Sequence, residues 1–170
     1  MKRLLLTLTL LIAAAQAPAQ PTAKPLSAQD RWVITGKGPS EFLAGQRKAI
    51  FRDNVHLDAR PEMELNCQLM TAFMGATNRF EKIEAERDLV IKIYETKDGQ
   101  TKTRIATAAS GVYVAATDTV TLIGSARLED EMGVLTAEKI HYNRATGDVR
   151  TEGDYKMESK PRPAADRRNP

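Results

Sequence analysis

Histidine, cysteine and aromatic residues are scarce in this chain, and each shortage removes a class of function. Two His and one Cys among 170 residues supply neither a metal-ligand set nor an internal disulfide. His56 and His141 lie one residue off apolar positions, in the outward phase of β-prone runs. Neither has a Ser, Cys or Asp partner in a catalytic arrangement, so both read as surface residues. Gly36-Lys37-Gly38-Pro39 is no phosphate loop, because Pro39 removes a donor and no helical pattern follows. Glu129-Asp130-Glu131 lacks the regular spacing of a calcium loop and reads as a solvated turn. No enzyme, metal or cofactor is expected from this inventory. Aromatics make up 5% of the residues, which leaves Val, Ile, Leu, Met and Ala to build the interior. Many thin apolar side chains suit a groove for flexible aliphatic chains better than a pocket shaped for one rigid ligand.

Charge excludes a further class. The formal net charge of +3 becomes +1 once Lys2 and Arg3 are set aside. From Lys156 onward five Lys/Arg face only Glu158 and Asp166, a local +3, which leaves Gln20–Tyr155 at −2. A basic body for nucleic acid is therefore not expected. The tail 158–170, rich in Pro, Arg and Asn without apolar periodicity, reads as a disordered solvated end.

What is present begins with an export signal. Lys2 and Arg3 precede a twelve-residue apolar run, Leu4–Ala15, and Ala17-Pro18-Ala19 offers the small residues a signal peptidase reads. Twelve residues are too few to span a bilayer comfortably, which takes about 20. Residues 1–19 are thus expected to be a cleaved signal peptide, and 20–31 a Pro/Ala/Gln linker. The only cysteine, Cys67, is far from the cleavage site and cannot carry a lipid anchor.

From Trp32 onward the chain alternates with period two. β-prone runs cover Trp32–Thr35, Ala49–Phe51, Val55–Leu57, Met63–Phe73, Phe80–Glu95, Thr103–Ala109, Gly111–Ala115, Thr119–Leu128, Val134–Tyr142 and Asp148–Met157. Phe80–Arg87 is made of good helix formers, but Leu89-Val90-Ile91-Lys92-Ile93 is β-branched and strictly alternating, which predicts a strand. Asp98-Gly99 marks a hairpin turn. A weak repeat runs through these strands: a small residue, two intervening positions, then a larger apolar one. It occurs as Cys67–Met70, Ala109–Val112 and Ala137–Ile140, each followed by a second apolar pair, Ile83/Ala85, Val120/Leu122 and Val149/Thr151. Successive hairpins of one style predict an all-β sandwich, roll or solenoid over 32–157.

Several of these segments resemble one family. Ala49-Ile50-Phe51-Arg52-Asp53-Asn54-Val55 resembles the A-x-F-x-G-N-V opening of the OstA-like, or LptA-type, lipopolysaccharide-transport proteins, with Asp53 where that family carries Gly. Gly111-Val112-Tyr113 and Val120-Thr121-Leu122-Ile123-Gly124-Ser125-Ala126-Arg127-Leu128 resemble its A-x-Y and V-x-L-x-G-x-A-x-L segments. Leu135–Tyr142 is similar to its L-x-A-x-x-I-x-Y strand. The resemblance runs from about Trp32 to Met157. It implies an open antiparallel β-jellyroll, V-shaped in section, whose apolar interior holds acyl chains of lipopolysaccharide or a related glycolipid in the periplasm. It further implies homologous jellyroll partners, LptC- and LptD-like, at the inner and outer membranes, with head-to-tail self-association.

On the alternation, the inward lining comprises Val55, Leu57, Leu65, Cys67, Met70, Ile83, Leu89, Ile91, Val112, Val120, Leu122, Leu128, Leu135 and Ile140. The same side chains would equally form a closed, dry core. Two functions stay open on the residues: a lipid-carrying trough, or an LptC-like adaptor acting only through its strand edges. Edge donors at Arg150 and Glu152 are expected to serve strand addition. Cleavage before Gln20 is the first testable outcome: N-terminal sequencing of exported protein should read Gln-Pro-Thr, whereas Met1 retained in the membrane fraction would mark an anchored adaptor.

Overall fold

The computed structural model describes residues 32–160 except Thr77, Asn78 and Asp98. The expected signal peptide, the linker up to Arg31 and residues 161–170 of the tail lie outside the described residues.

Nine antiparallel strands form a single open sheet. They are β1 (Val33–Thr35), β2 (Ser40–Leu43), β3 (Lys48–Ala59), β4 (Met63–Met74), β5 (Phe80–Lys97), β6 (Gln100–Val114), β7 (Thr119–Glu129), β8 (Gly133–Asn143) and β9 (Val149–Ser159). Neighbours in sequence are neighbours in space from β3 to β9, while β1 and β2 both pair with the outer edge of β3. Phe80–Lys97 is a strand throughout, so the alternation after Asp88 outweighs the helix-prone composition before it. β2 has no counterpart in the sequence reading. Its four residues are too few for a pattern, and it forms because Ser40–Leu43 registers on Lys48–Phe51 across a 3-10 turn.

Two pairs of expected strands are in fact single strands with an irregularity in the middle. Ala49–Phe51 and Val55–Leu57 belong to β3, and Thr103–Ala109 and Gly111–Val114 to β6, which stops one residue short of the expected Ala115. The interruptions line up. Pairing shifts occur at Arg52/Val55, Asn66/Leu69, Glu86/Leu89, Thr107/Ser110, Ile123/Ala126 and Ala137/Lys139. They form one seam of β-bulges crossing the sheet from β3 to β9.

The seam has two kinds of strand. β3, β5, β7 and β9 pass through it in left-handed backbone, at Asp53 and Asn54, Arg87 and Asp88, Gly124 and Ser125, and Gly153. β4, β6 and β8 pass through without positive φ but change phase. Their inward residues are three apart there, from Cys67 to Met70, Ala108 to Gly111 and Ala137 to Ile140. The left-handed strands keep their phase with inward neighbours four apart, as from Ala85 to Leu89 and Leu122 to Ala126. Four residues facing three is the geometry of a bulge, which bends the strand and increases its twist. The small-x-x-apolar repeat is thus the sequence trace of the seam. Its middle copy lies one residue earlier than the alternation suggested, at Ala108–Gly111. A Cβ on Gly111 would stand 2.5 Å from a Leu89 methyl and 3.1 Å from the Thr121 carbonyl oxygen, so a larger residue where β5 and β6 cross the bend would have to displace Leu89.

The bend rolls the sheet onto itself. Trp32 sits at the level where β1 meets Asp58, and Phe80 pairs with Met74 at the opposite end of β4. In a flat sheet these levels would be ~35 Å apart along the strands. Their rings are 4.4 Å apart between centroids. Likewise Arg144, in the β8–β9 turn, meets Glu62, in the β3–β4 turn, at 3.2 Å, and the Arg104 guanidinium lies 4.8 Å over the Tyr142 ring. Each strand from β3 to β9 therefore contributes one half to each arm of a V, while β2 lies on one arm and β1 on the other. The seam is the spine, and the strand tips meet across a mouth.

Asp53 has φ +59°, which explains why the resembling family carries Gly there; Asp is among the few residues that tolerate this region. Arg87, at φ +63°, has no such tolerance. Replacing Arg87 by Gly should raise unfolding stability by up to ~1 kcal/mol, and Gly124→Val should lower it by ~1–2 kcal/mol, both read by urea denaturation.

Candidate functional site

The inner face of the V is one continuous apolar cluster drawn from β3 to β8. Of the expected lining, Val55, Leu57, Leu65, Cys67, Met70, Ile83, Leu89, Ile91, Val120, Leu122, Leu128 and Ile140 are buried in it. Leu135 packs against it half-buried, because its β9 partner Met157 is itself exposed. Val112 is a correction: it pairs with Glu84 and Thr121 in the outward phase, since the phase change at the seam turns Gly111 and Tyr113 inward instead. The alternation missed Met63, Phe80, Ile93, Tyr113 and Tyr142, all buried. Met63 and Ile93 were legible as continuations of the same alternation. Tyr113 and Tyr142 end two of the family-like segments, although a tyrosine alone gives no sign of which face it takes.

Cys67, one of the expected lining residues, is a free buried cysteine. Burial pushes the Cys67 thiol up to about 11, and its Sγ donates to the Leu69 carbonyl at 3.3 Å. Both histidines face outward. His56 Nδ1 contacts Asn66 Oδ1 at 2.9 Å, and His141 sits between Thr121 Oγ1 at 3.1 Å and Glu152 Oε1 at 2.7 Å. Glu152 also pairs with Lys139, and Lys139 first, then His141, holds its carboxyl below the ordinary range. That contact fastens β9 to β8 above the ordinary carboxylate range and is lost as pH falls below it. Among the described residues no group of His, Cys, Asp and Glu is arranged to hold a metal.

Two clusters of one design hold the mouth. In the first, Arg144 reaches Glu62 and Asp118, each at 3.2 Å, and lies 5.7 Å over the Tyr113 ring. The Tyr113 hydroxyl donates to Asp118 at 3.1 Å, and burial, then Asp118, raises its pKa so that it stays a donor. In the second, Arg104 lies over Tyr142, with Glu95 at 3.5 Å and Asp130 at 3.6 Å.

The apolar face does not stop where burial stops. Phe42, which faces inward opposite Ala49, is 67% exposed at one end of the sheet, and Tyr155 and Met157, opposite Ala137 and Leu135, are 70% and 55% exposed at the other. β9 runs two residues past the expected domain boundary, to Ser159, and Lys160 fastens its end through its backbone N to Met132 O at 2.9 Å and its Nζ to Asp130 O at 2.8 Å.

An open jellyroll whose single apolar face runs from edge to edge defines the class of protein. Residues 40–148 match the family described as LptA/(LptD N-terminal domain) LPS transport protein. The chain belongs to that family. A search of curated proteins gives no match. Among solved structures, LptH of Pseudomonas aeruginosa, described as the LptA-homologous periplasmic component of the lipopolysaccharide transport device, superposes with a TM-score of 0.71. The match has 16% identity and covers 81% of this chain and 100% of that one, a likeness of fold.

Two outcomes test this interior. Leu122 and Ile140 have no exposed surface, so Leu122→Asp or Ile140→Asp should cost several kcal/mol of stability in urea denaturation, against at most ~0.5 kcal/mol for His56→Ala. Cys67, with a thiolate fraction on the order of 0.1% at pH 8, should stay unreactive to a disulfide reagent until the protein unfolds.

Proposed function

We propose that the chain is a periplasmic carrier of lipopolysaccharide that holds the acyl chains along the inner face of the V and passes them toward the outer membrane without chemical turnover. The observation that carries this reading is the inner face exposed at both sheet ends, at Phe42 and at Tyr155 and Met157. An apolar path that leaves the domain at each end suits a ligand handed on, rather than one enclosed. Family membership supports the ligand class. The partners would be jellyroll domains of similar fold, LptC- and LptD-like, or further copies of this chain, added strand to strand at β1/β2 and β9.

The register corrects which β9 groups such a partner would meet. Asn143 N donates to Asp148 O, so the pairs at His141/Arg150 and Lys139/Glu152 are the hydrogen-bonded ones. Arg150 and Glu152 therefore donate inward to β8, not outward. The free edge donors are Val149 and Thr151, and past the bulge, counting from Lys160 N to Met132 O, Tyr155 and Met157. These residues also carry the exposed apolar side chains, so one partner strand would cover both at once.

A second reading, an adaptor acting only through its edges, draws on the tightness of the interior, where Met70, Leu122 and Ile140 have no exposed surface. Mass spectrometry of the lipid extracted from exported protein separates the two: a co-purified glycolipid with acyl chains supports the carrier, and its absence at full occupancy by partners supports the adaptor. Thr151→Pro or Met157→Pro removes an edge donor without breaking the β8 ladder. Either should abolish concentration-dependent association in light scattering, whereas Arg150→Pro should instead loosen β9.

A further inference from the structure

The inner face is packed shut. Side chains from both arms fill it, with Met70, Ala72, Ala106, Leu122, Ile140 and Tyr142 at no exposure. An acyl chain cannot lie along this face until the arms part, and parting them along the spine must separate the tips that meet across the mouth. The hydrogen bond between the tips is Glu62–Arg144, which joins residues 82 apart in the chain.

Arg144 is poorly matched for a structural pin. Its side chain is 9% exposed, yet its one hydrogen bond runs from Nη2 to Glu62 Oε2 at 3.2 Å. Nη1 stands 3.2 Å from Asp118 Oδ1, an ion pair outside hydrogen-bond geometry. Nε has no acceptor among the described residues. A buried guanidinium so incompletely satisfied has given up most of its hydration for a long charged contact. Opening returns water to Nε and Nη1, which offsets part of the loss of Glu62. Within its own rim Arg144 stays tethered when the mouth opens, because its backbone N donates to Asp118 O at 2.9 Å and its guanidinium faces the Tyr113 ring. The other rim is organised separately, with Tyr94 N donating to Glu62 O at 2.9 Å. At this point of the mouth the break is therefore confined to one hydrogen bond between two rims that each keep their own structure, and what else crosses the mouth at the rims is aromatic: Arg104 over Tyr142 and Trp32 against Phe80.

We propose that Glu62–Arg144 is a latch whose release opens the mouth of the V and admits aliphatic chains to the inner face. The latch concerns the apo chain itself; only the identity of what enters rests on the carrier reading above.

Hydrogen exchange of the full mature chain tests the opening without any ligand. Glu62→Gln, at a side chain only partly buried, should speed exchange of the rim amides of Tyr94 and Arg144 roughly tenfold, the population shift that goes with losing one charge-assisted hydrogen bond. Amides beside the spine, such as Leu89, should keep wild-type rates. Arg144→Met serves as a second variant with the same expected pattern. Uptake of cis-parinaric acid, a fluorescent fatty acid, should then accelerate by about the same factor in both variants. Unchanged rim exchange would overturn the latch, and so would a uniform rise across all amides, which would make Arg144 an ordinary structural pin. Faster rim exchange with no uptake of the probe by any variant or by wild type would support the latch and overturn the carrier reading instead.

Discussion

Everything in this fold follows from the seam. A sheet of nine strands with one apolar face cannot remain flat in water, and among the described residues no helix layer covers that face. The alternative is to fold the face onto itself, which requires every strand to bend at the same height. The chain meets this by pairing a strand that spends four residues between inward positions with a neighbour that spends three. Left-handed backbone at Asp53, Asn54, Arg87, Asp88, Gly124, Ser125 and Gly153 supplies the extra residue, at a backbone strain of ~1 kcal/mol or more wherever the residue is not glycine. The strain persists because the inner face gains burial on both arms at once.

The seam also marks the boundary of what could be read from the residues. Strand identity, hairpin order and most of the inward phase were legible, because period-two alternation survives within each arm. The repeat is visible as small-x-x-apolar, but its pattern suggests a hairpin unit and carries no sign that it marks a bend. A bulge and a break look alike in a one-dimensional pattern: the alternation divides β3 at its left-handed step, where two outward residues follow one another, and β6 where its phase slips. Val112 falls on the wrong face for the same reason, since counting back by twos from Tyr113 gives Gly111, while counting forward by twos from the inward Ala108 gives Val112. Nothing in the alternation could reveal β2, whose pairing depends on a turn and a register. The mouth was illegible altogether. Glu62 and Arg144 are ordinary charged turn residues in sequence, and they acquire meaning only when the roll brings the β3–β4 and β8–β9 turns together.

The two arginine clusters show how the mouth differs from the core. Leu122 and Ile140 are held by non-directional packing that tolerates no water. Arg104 and Arg144 instead lie over tyrosine rings with carboxylates at 3.2–3.6 Å, and they leave polar atoms short of partners on Glu95, Arg104, Tyr142 and Arg144. Polar groups in that state are tolerated where the structure must separate, because water completes them on separation; in a permanent core they would be pure cost. The distribution of unsatisfied groups therefore divides the molecule into a spine built to stay and a mouth built to part.

The open ends raise the opposite problem, that of preventing promiscuous strand addition. β9 alternates Val149, Thr151, Tyr155 and Met157 on the inner phase with Arg150, Glu152, Asp154, Lys156 and Glu158 elsewhere along it. Charges on an edge strand discourage pairing with an arbitrary strand, since a partner must bury or match them. Here they are partly matched already: Lys139 and His141 meet Glu152, and Lys156 meets Glu158. A joining strand gains the free donors and the exposed apolar side chains only if it continues the bend at Gly153, because a flat strand would part from β9 at the bulge. Selectivity at the edge is thus geometric before it is electrostatic. A strand that carries its own left-handed step at the right height fits, and that requirement favours domains built on the same seam.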